Sequence, residues 1–286
     1  MLDRLSASFI LALTAGLALA PAGSAAAQPV TIDPAQLGGL RWRTIGPDGN
    51  RLSAAAGEWG NPDVIYFGAA SGGIWKTSDR GVTWEPVFDD QEAASISALA
   101  VSPSHPGQVW AGTGETFIIR PALAMGNGIY RSTDGGRSFH HRGLEATGRI
   151  ARILVHPEDP DLVYACALGH SYAPQPERGV YRTRDGGANW ELVLHVDEHT
   201  GCSDLAMDLR HPERLLAGMW QLRIDTGGLR SGGPGSGLYR SDDGGNSWER
   251  ISGETSDDGG GRGLPGGEAH PIGKVAVAIA PSDSDR

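Results

Sequence analysis

The 286-residue chain carries 34 acidic against 24 basic side chains, a formal net charge of −10, so no positive field is available to gather nucleic-acid phosphates. Its 43 glycines sit mostly beside turns, as many short strands require, and two cysteines are too few for a disulfide scaffold. Beyond the N-terminus no stretch is apolar and long enough to span a bilayer.

Residues 1–27 read as an export signal. Arg4 lies in a short basic region, an apolar run follows from Phe9 to Ala20, and Ala25-Ala26-Ala27 offers a small-residue cleavage site before Gln28. The mature protein is expected in the periplasm or outside the cell, with no membrane span left after cleavage. Residues 28–39 read as a linker, and residues 40–46, including Trp42, have the pattern of an outer strand.

From there one octapeptide organises the chain. Thr77-Ser-Asp79-Arg-Gly81-Val-Thr83-Trp84 returns as Ser132-Thr-Asp134-Gly-Gly136-Arg-Ser138-Phe139, as Thr183-Arg-Asp185-Gly-Gly187-Ala-Asn189-Trp190, and as Ser241-Asp-Asp243-Gly-Gly245-Asn-Ser247-Trp248. The aspartates are spaced 55, 51 and 58 residues apart, the period of a modular array. Between them short apolar strands alternate with hairpin signals and no helical periodicity, four strands to a repeat. The predicted repeats cover about 47–90, 91–143, 144–196 and 197–252, and the start of a fifth at 272–286. Four-stranded antiparallel sheets in series give an all-β fold, a β-propeller of about four blades plus one strand of an incomplete ring. Residues 40–46 would be its outer closing strand. The lone inner strand Lys274 to Ala280 implies further C-terminal blades of the same protein as its partners.

The turn residues explain themselves. The aspartate is expected to accept backbone N–H bonds from one or two residues on, the glycine supplies a positive φ, and the aromatic buries against the sheet. Asp79, Gly81, Trp84, Asp134, Gly136, Phe139, Asp185, Gly187, Trp190, Asp243, Gly245 and Trp248 are thus assigned to structure. Cys166 falls in a strand and reads as a small buried thiol; export permits a bridge to Cys202, but two free cysteines are the expectation. Neither the cysteines nor the histidines show ligand spacing, so no metal and no cofactor are expected.

The octapeptide resembles the Asp-box, or bacterial neuraminidase repeat, of sialidases, sortilin-type receptors and some endoglucanases. Whole repeats, such as His156 to Tyr164 followed by Arg178 to Gly187, resemble large exported bacterial proteins described as glycosyl-hydrolase-like or sortilin N-terminal-like. The resemblance runs from about residue 40 to 286 and implies the propeller without fixing its chemistry.

Alternating strand direction puts the long loops (112–128, 167–179, 218–237 and 253–273) on the face opposite the aspartate turns, where function is expected. Arg120, Arg178 and Arg223 on three of these loops, with Arg149 and Arg230 nearby, are candidate ligand-binding residues, because a guanidinium fork suits an anion. The bland alternative is that they pair with Glu115, Glu177 and Asp225. Sialidases hold a sugar carboxylate with an arginine trio on this kind of blade, but Phe117 to Pro121 only loosely echoes the sialidase arginine element, and that role is not carried over. Trp220 is a candidate sugar platform or an inter-blade filler. Glu115 and His170 are the candidate catalytic groups, Glu115 with Asp197 or Glu198 as a carboxylate pair. In xyloglucan-cleaving propellers with this repeat, a catalytic aspartate stands two residues before the Gly-Gly of the first blade. Here Ala70 stands two residues before Gly72-Gly73. The expected function is therefore recognition of a glycan or peptide. The alternatives are a sialidase- or xyloglucanase-like glycoside hydrolase with carboxylates partly in missing blades, and an envelope assembly or scaffold factor.

Overall fold

The computed structural model describes residues 51–116, 124–253, 264–266 and 270–281. These all belong to one unit, Thr44–Arg286. The export signal, the linker, the 40–46 strand and Arg120 lie outside the described residues.

Four antiparallel sheets follow one another along the chain. Blade one holds β1 (Leu52–Glu58), β2 (Asn61–Ala69), β3 (Ile74–Thr77) and β4 (Glu85–Pro86). Blade two holds β5 (Ile96–Val101), β6 (Val109–Thr113), β7 (Ile129–Ser132) and β8 (His140–His141). Blade three holds β9 (Ile150–Val155), β10 (Val163–Ala167), β11 (Gly179–Thr183) and β12 (Glu191–Leu194). Blade four holds β13 (Thr200–Met207), β14 (Leu215–Asp225), β16 (Gly237–Ser241) and β17 (Glu249–Arg250), with β15 (Gly228–Ser231) added to the far end of β14. The protein is all-β with propeller-type blades, and the described residues do not close a ring.

The seams between blades follow from the two-residue period of a strand buried on both faces. In β6, Val109 and Ala111 join the core shared with blade one, whereas Trp110 joins the core shared with blade three. In β10, Val163 and Ala165 face back and Tyr164 and Cys166 face forward. Near the axis the sheets come closest. A Cβ added to Gly68 would lie 2.5 Å from Ile96 Cγ2, and one added to Gly112 would lie 2.6 Å from Ile150 Cγ2. Gly218 meets Val275 in the same way, its added Cβ 3.0 Å from the valine Cβ. Each middle strand thus gives up its side chain to a β-branched residue of the next inner strand.

Blade three breaks that rule, and with it the expectation of two free thiols. The register puts Cys166 opposite Arg152, where Gly68 stands opposite Ala54 and Gly112 opposite Ala98. Cys202 takes the place of Ile96 and Ile150, and the two cysteines form a disulfide with Cα atoms 5.0 Å apart. Side chains that interlock elsewhere are here joined covalently. Hydroxyl clips mark the same seam: Ser53 donates to Ile96 O, Ser97 to Ile150 O, and Ser203 to Val275 O at 2.7 Å. Blade three has Ala151 at the clip position, and the disulfide spans that seam.

The aspartate turns close the outer end of each blade. Asp79 Oδ1 accepts from Thr77 Oγ1 and from Thr83 N, both at 2.8 Å, and Oδ2 accepts from Thr83 Oγ1 at 2.6 Å. The backbone donor is therefore four residues on, not one or two, and the same bonds recur at Asp134, Asp185 and Asp243. The hydroxyl that opens the motif takes the N–H of the glycine, as in Gly136 N to Ser132 Oγ at 2.8 Å, with Gly136 at φ 84°. The turns of blades two, three and four are also sockets for the preceding blade. Gly135 O accepts from Tyr66 and Lys76 at 3.0 and 2.9 Å, Gly186 O from Arg131 at 3.1 Å, and Gly244 O from Tyr164 and Arg182 at 2.9 and 2.6 Å. Burial raises the Tyr66 hydroxyl to about 12, so it stays a donor at any physiological pH. The closing aromatics pack as stacked Trp84 on Phe67, and as edge contacts of Phe139 with Phe88 and Trp190 with Trp110.

Candidate functional site

The rim opposite these turns is built from the segments leaving each second strand. They leave in a shared geometry: Ala70 N, Gly114 N and Leu168 N each donate at 2.9 Å to the residue before the neighbouring inner strand, Arg51, Ser95 and Arg149 respectively. Beyond that point no two blades agree.

Glu115 follows Gly114, whose φ of 93° turns the chain inward. Its carboxylate is 3% exposed and ion-pairs with Arg51, while its carbonyl accepts from Arg149 Nε at 3.0 Å. Glu115 is therefore held between two arginines, with Arg51 at its carboxylate. Asp197 caps its own turn through His199 N at 2.7 Å, and Glu198 O accepts from Gln175 N at 2.8 Å. His170 is half-buried, and its backbone carries the bonds: its N–H donates to Gln175 Oε1 at 2.6 Å and its carbonyl accepts from Arg178 Nη2.

The arginines divide into two kinds. Arg149 and Arg178 are 0% and 1% exposed, beneath the loops rather than on them. Arg178 donates to His199 O at 2.9 Å, Leu222 O at 3.4 Å, Ala173 O at 3.1 Å and His170 O. One guanidinium thus ties the 168–178 loop of blade three to blade four, at the far part of its long strand and at the residue before its first strand. Loss of hydration lowers Arg178 to about 10, partly offset by Asp197, and it remains charged at neutral pH. Burial likewise lowers Arg149, against the pull of Tyr172 and Glu115. As placed, these two forks serve backbone carbonyls, and the expected row of ligand-facing arginines is not what the described residues present.

Arg223 is exposed, and the segment that reads as loop 218–237 is largely a hairpin: β14 continues to Asp225 and β15 returns along it. Trp220 is 4% exposed, packs with Leu168 and Leu222, and donates its Nε1–H to Ser231 Oγ at 3.0 Å. It is a filler between blades and carries the Lys274 ammonium 5.8 Å above its ring.

Sequence reasoning missed one feature near the axis. A cavity of ≈ 320 Å³ lies along the inner strands and includes Ser97, Arg152, Ser203, Asp204 and Lys274 in its lining. Arg152 Nε lies 2.8 Å from Asp204 Oδ1, and Asp204 Oδ2 accepts from Val277 N at 3.1 Å, so Asp204 anchors the segment after blade four. The signal was available: the aligned inner-strand positions read Ala54, Ala98, Arg152, Asp204, and only the last two are charged. Among the described residues no cluster of three or more His, Cys, Asp or Glu side chains is placed to hold a metal ion. No helix among them is long and apolar enough to cross a membrane.

Comparison with known proteins finds xyloglucanases and the Sortilin-Vps10 family. A xyloglucanase from Paenibacillus sp is 27% identical over 208 residues, covering 66% of this chain and 19% of that protein. A xyloglucanase from Hypocrea jecorina is 24% identical over 232 residues, covering 71% of this chain and 26% of its own length. Among solved structures, the GH74 enzyme of Niastella koreensis superposes with a TM-score of 0.54 at 19% identity, over 71% of this chain and 30% of that one. The GH74 xyloglucanase of Xanthomonas campestris gives 0.53 at 19% identity, over 75% and 32%. These likenesses establish the propeller-type fold, and the chain spans less than a third of the length of each relative. Residues 72–216, just over half of the sequence, match the Sortilin-Vps10 family (sortilin, neurotensin receptor 3). The chain belongs to the Sortilin-Vps10 family.

Proposed function

We propose that this chain is a polysaccharide-recognition propeller of an exported protein, binding a glucan-type chain along its long-loop rim and not cleaving it with the residues described. The xyloglucanase relatives supply the ligand class. The observation that carries recognition over hydrolysis is the state of Glu115. A glycosidase needs two carboxyl groups flanking the scissile bond, about 5–5.5 Å apart for retention or about 6.5–9.5 Å for inversion. Glu115 is buried and neutralised by Arg51, and Ala70 occupies the position that the resemblance assigns to a catalytic aspartate. The Cys166–Cys202 bridge supports export, since such bonds persist in oxidising compartments.

Calorimetry with xyloglucan, run beside a reducing-end assay, tests the reading. Binding without release of reducing ends is the expected result; release that survives Glu115→Gln would instead assign the chain a hydrolase activity. Hydrolysis is the second reading, favoured by the descriptions of the relatives, and on it the catalytic carboxylates lie outside the described residues.

A further inference from the structure

Among the described residues, in blade four alone the second strand outruns the sheet and folds back, so Leu222 to Ser231 form a hairpin on the loop rim. The hairpin has two faces. Leu222 and Ile224 are buried at 2% and 6% exposure, and Arg223 between them is exposed. Directly across from Arg223 stands Arg230, also exposed. Opposed residues of an antiparallel pair hold their Cβ atoms about 4.5–5.5 Å apart, and like charges there are destabilising. Asp225 Oδ2 lies 3.2 Å from Arg230 Nε, whereas Arg223 makes no ion pair among the described residues. One carboxylate against two guanidiniums leaves this face positive, in a chain whose net charge is −10.

Space is available beside the pair, because the residue opposite Asp225 is Gly228, and a Cβ added there meets nothing within 4 Å. The hairpin is also braced. Ile224 N donates to Ser171 O at 2.7 Å, Trp220 fixes Ser231, and Arg178 holds Leu222 O. A pair of like charges held facing each other on a braced strand is a cost that a planar anion between them would offset. We infer that Arg223 and Arg230 form a subsite for the carboxylate of a uronic acid unit, so that the chain takes an acidic polysaccharide. The inference rests on the polysaccharide reading above and adds an acidic unit to its ligand.

Two probes separate the inference from that reading: neutral xyloglucan and polygalacturonate, each titrated into the chain by calorimetry. Polygalacturonate affinity is expected to fall about tenfold from about 50 mM to about 500 mM salt, with xyloglucan affinity unchanged. Arg223→Ala and Arg230→Ala are each expected to weaken polygalacturonate about tenfold and xyloglucan less than about twofold. Arg223→Ala is expected not to lower the melting temperature, because it relieves a like-charge contact, and Arg230→Ala to change it little, because it also removes the exposed ion pair with Asp225. Arg223→Lys, which keeps the charge and loses the fork, is expected to fall between. Binding of xyloglucan but not polygalacturonate by the unaltered chain overturns the subsite alone, as does equal polygalacturonate binding by the double variant. Failure to bind either probe overturns the polysaccharide reading as well.

Discussion

The two rims of this molecule are made by different means. On the turn rim four near-identical octapeptides carry the same bonds, with Asp79, Asp134, Asp185 and Asp243 each accepting from a residue four positions on and each turn carbonyl receiving its neighbour's basic side chain where a preceding blade is described. On the loop rim the blades share only the bond by which the chain leaves the second strand; past it a salt-bridged glutamate holds one loop, a buried arginine another, and a hairpin stands on the fourth blade. Repetition marks the places where every blade has the same mechanical task. The unrepeated residues are where one blade does what the others do not, and a ligand would be met there.

The comparison is broken most severely at Arg178. Arg178→Ala leaves four backbone carbonyls without their donor, three bonded at 2.9, 3.1 and 3.4 Å and the fourth being His170 O. A loss of about 3–5 kcal/mol is expected by denaturant titration. Amide exchange in 222–231 should quicken, while exchange at the turns of blades one and two stays unchanged. A stability loss below about 1 kcal/mol would show that the loop rim is not held from beneath.

The seam between blades three and four comes next. Cys166→Ala with Cys202→Ala opens a bridge whose ends are 36 residues apart, and the expected loss is about 3–4 kcal/mol. Replacing the pair instead with the arrangement of the other seams, Cys166→Gly with Cys202→Ile, should recover part of it, because Gly68–Ile96 and Gly112–Ile150 pack at that position without a covalent bond. If the Gly/Ile variant is no more stable than the Ala/Ala variant, the equivalence of the seams fails.

The turn rim itself is tested by acid. Hydrogen bonds from the side chain and then the backbone four residues on hold Asp79, Asp185 and Asp243 at about 2, against a usual 3.8. Asp134 reaches about 2 as well, the bonds from Ser138 and Ser132 overcoming the opposing effect of burial. Because the folded-state values lie below the unfolded ones, their contribution is fully present above about pH 4 and is lost as pH falls through about 2. Melting temperatures should therefore drop across that window, and Asp185→Asn should lower the neutral-pH melting temperature while making the acid drop shallower. An unchanged acid profile would remove the aspartates from the stability account.

Much of this was legible in the residues, for reasons that differ by rim. The octapeptide repeats because the turn dictates its own chemistry, so Thr77, Asp79 and Gly81 announce a local structure without reference to the rest of the chain. Within its own strand Cys166 gives no sign of a bridge; aligned by repeat, it falls where Gly68 and Gly112 stand, with Cys202 where their partners stand. Arg149 and Arg178 escaped because residue type does not state direction, and a guanidinium serves a backbone carbonyl as readily as a ligand. The hairpin is readable in principle: Leu222-Arg-Ile224 and Leu229-Arg230 alternate on either side of a two-residue turn at Thr226-Gly227, a short hairpin signal inside a stretch that reads as loop.

The division of labour between the rims can be measured in one hydrogen–deuterium exchange experiment, with and without saturating polysaccharide. Exchange is expected to slow in 168–178 and 222–231 and to stay unchanged in the four turns at 77–84, 132–139, 183–190 and 241–248. Protection confined to the turns, with the 168–178 loop and the hairpin unaffected, would contradict the account.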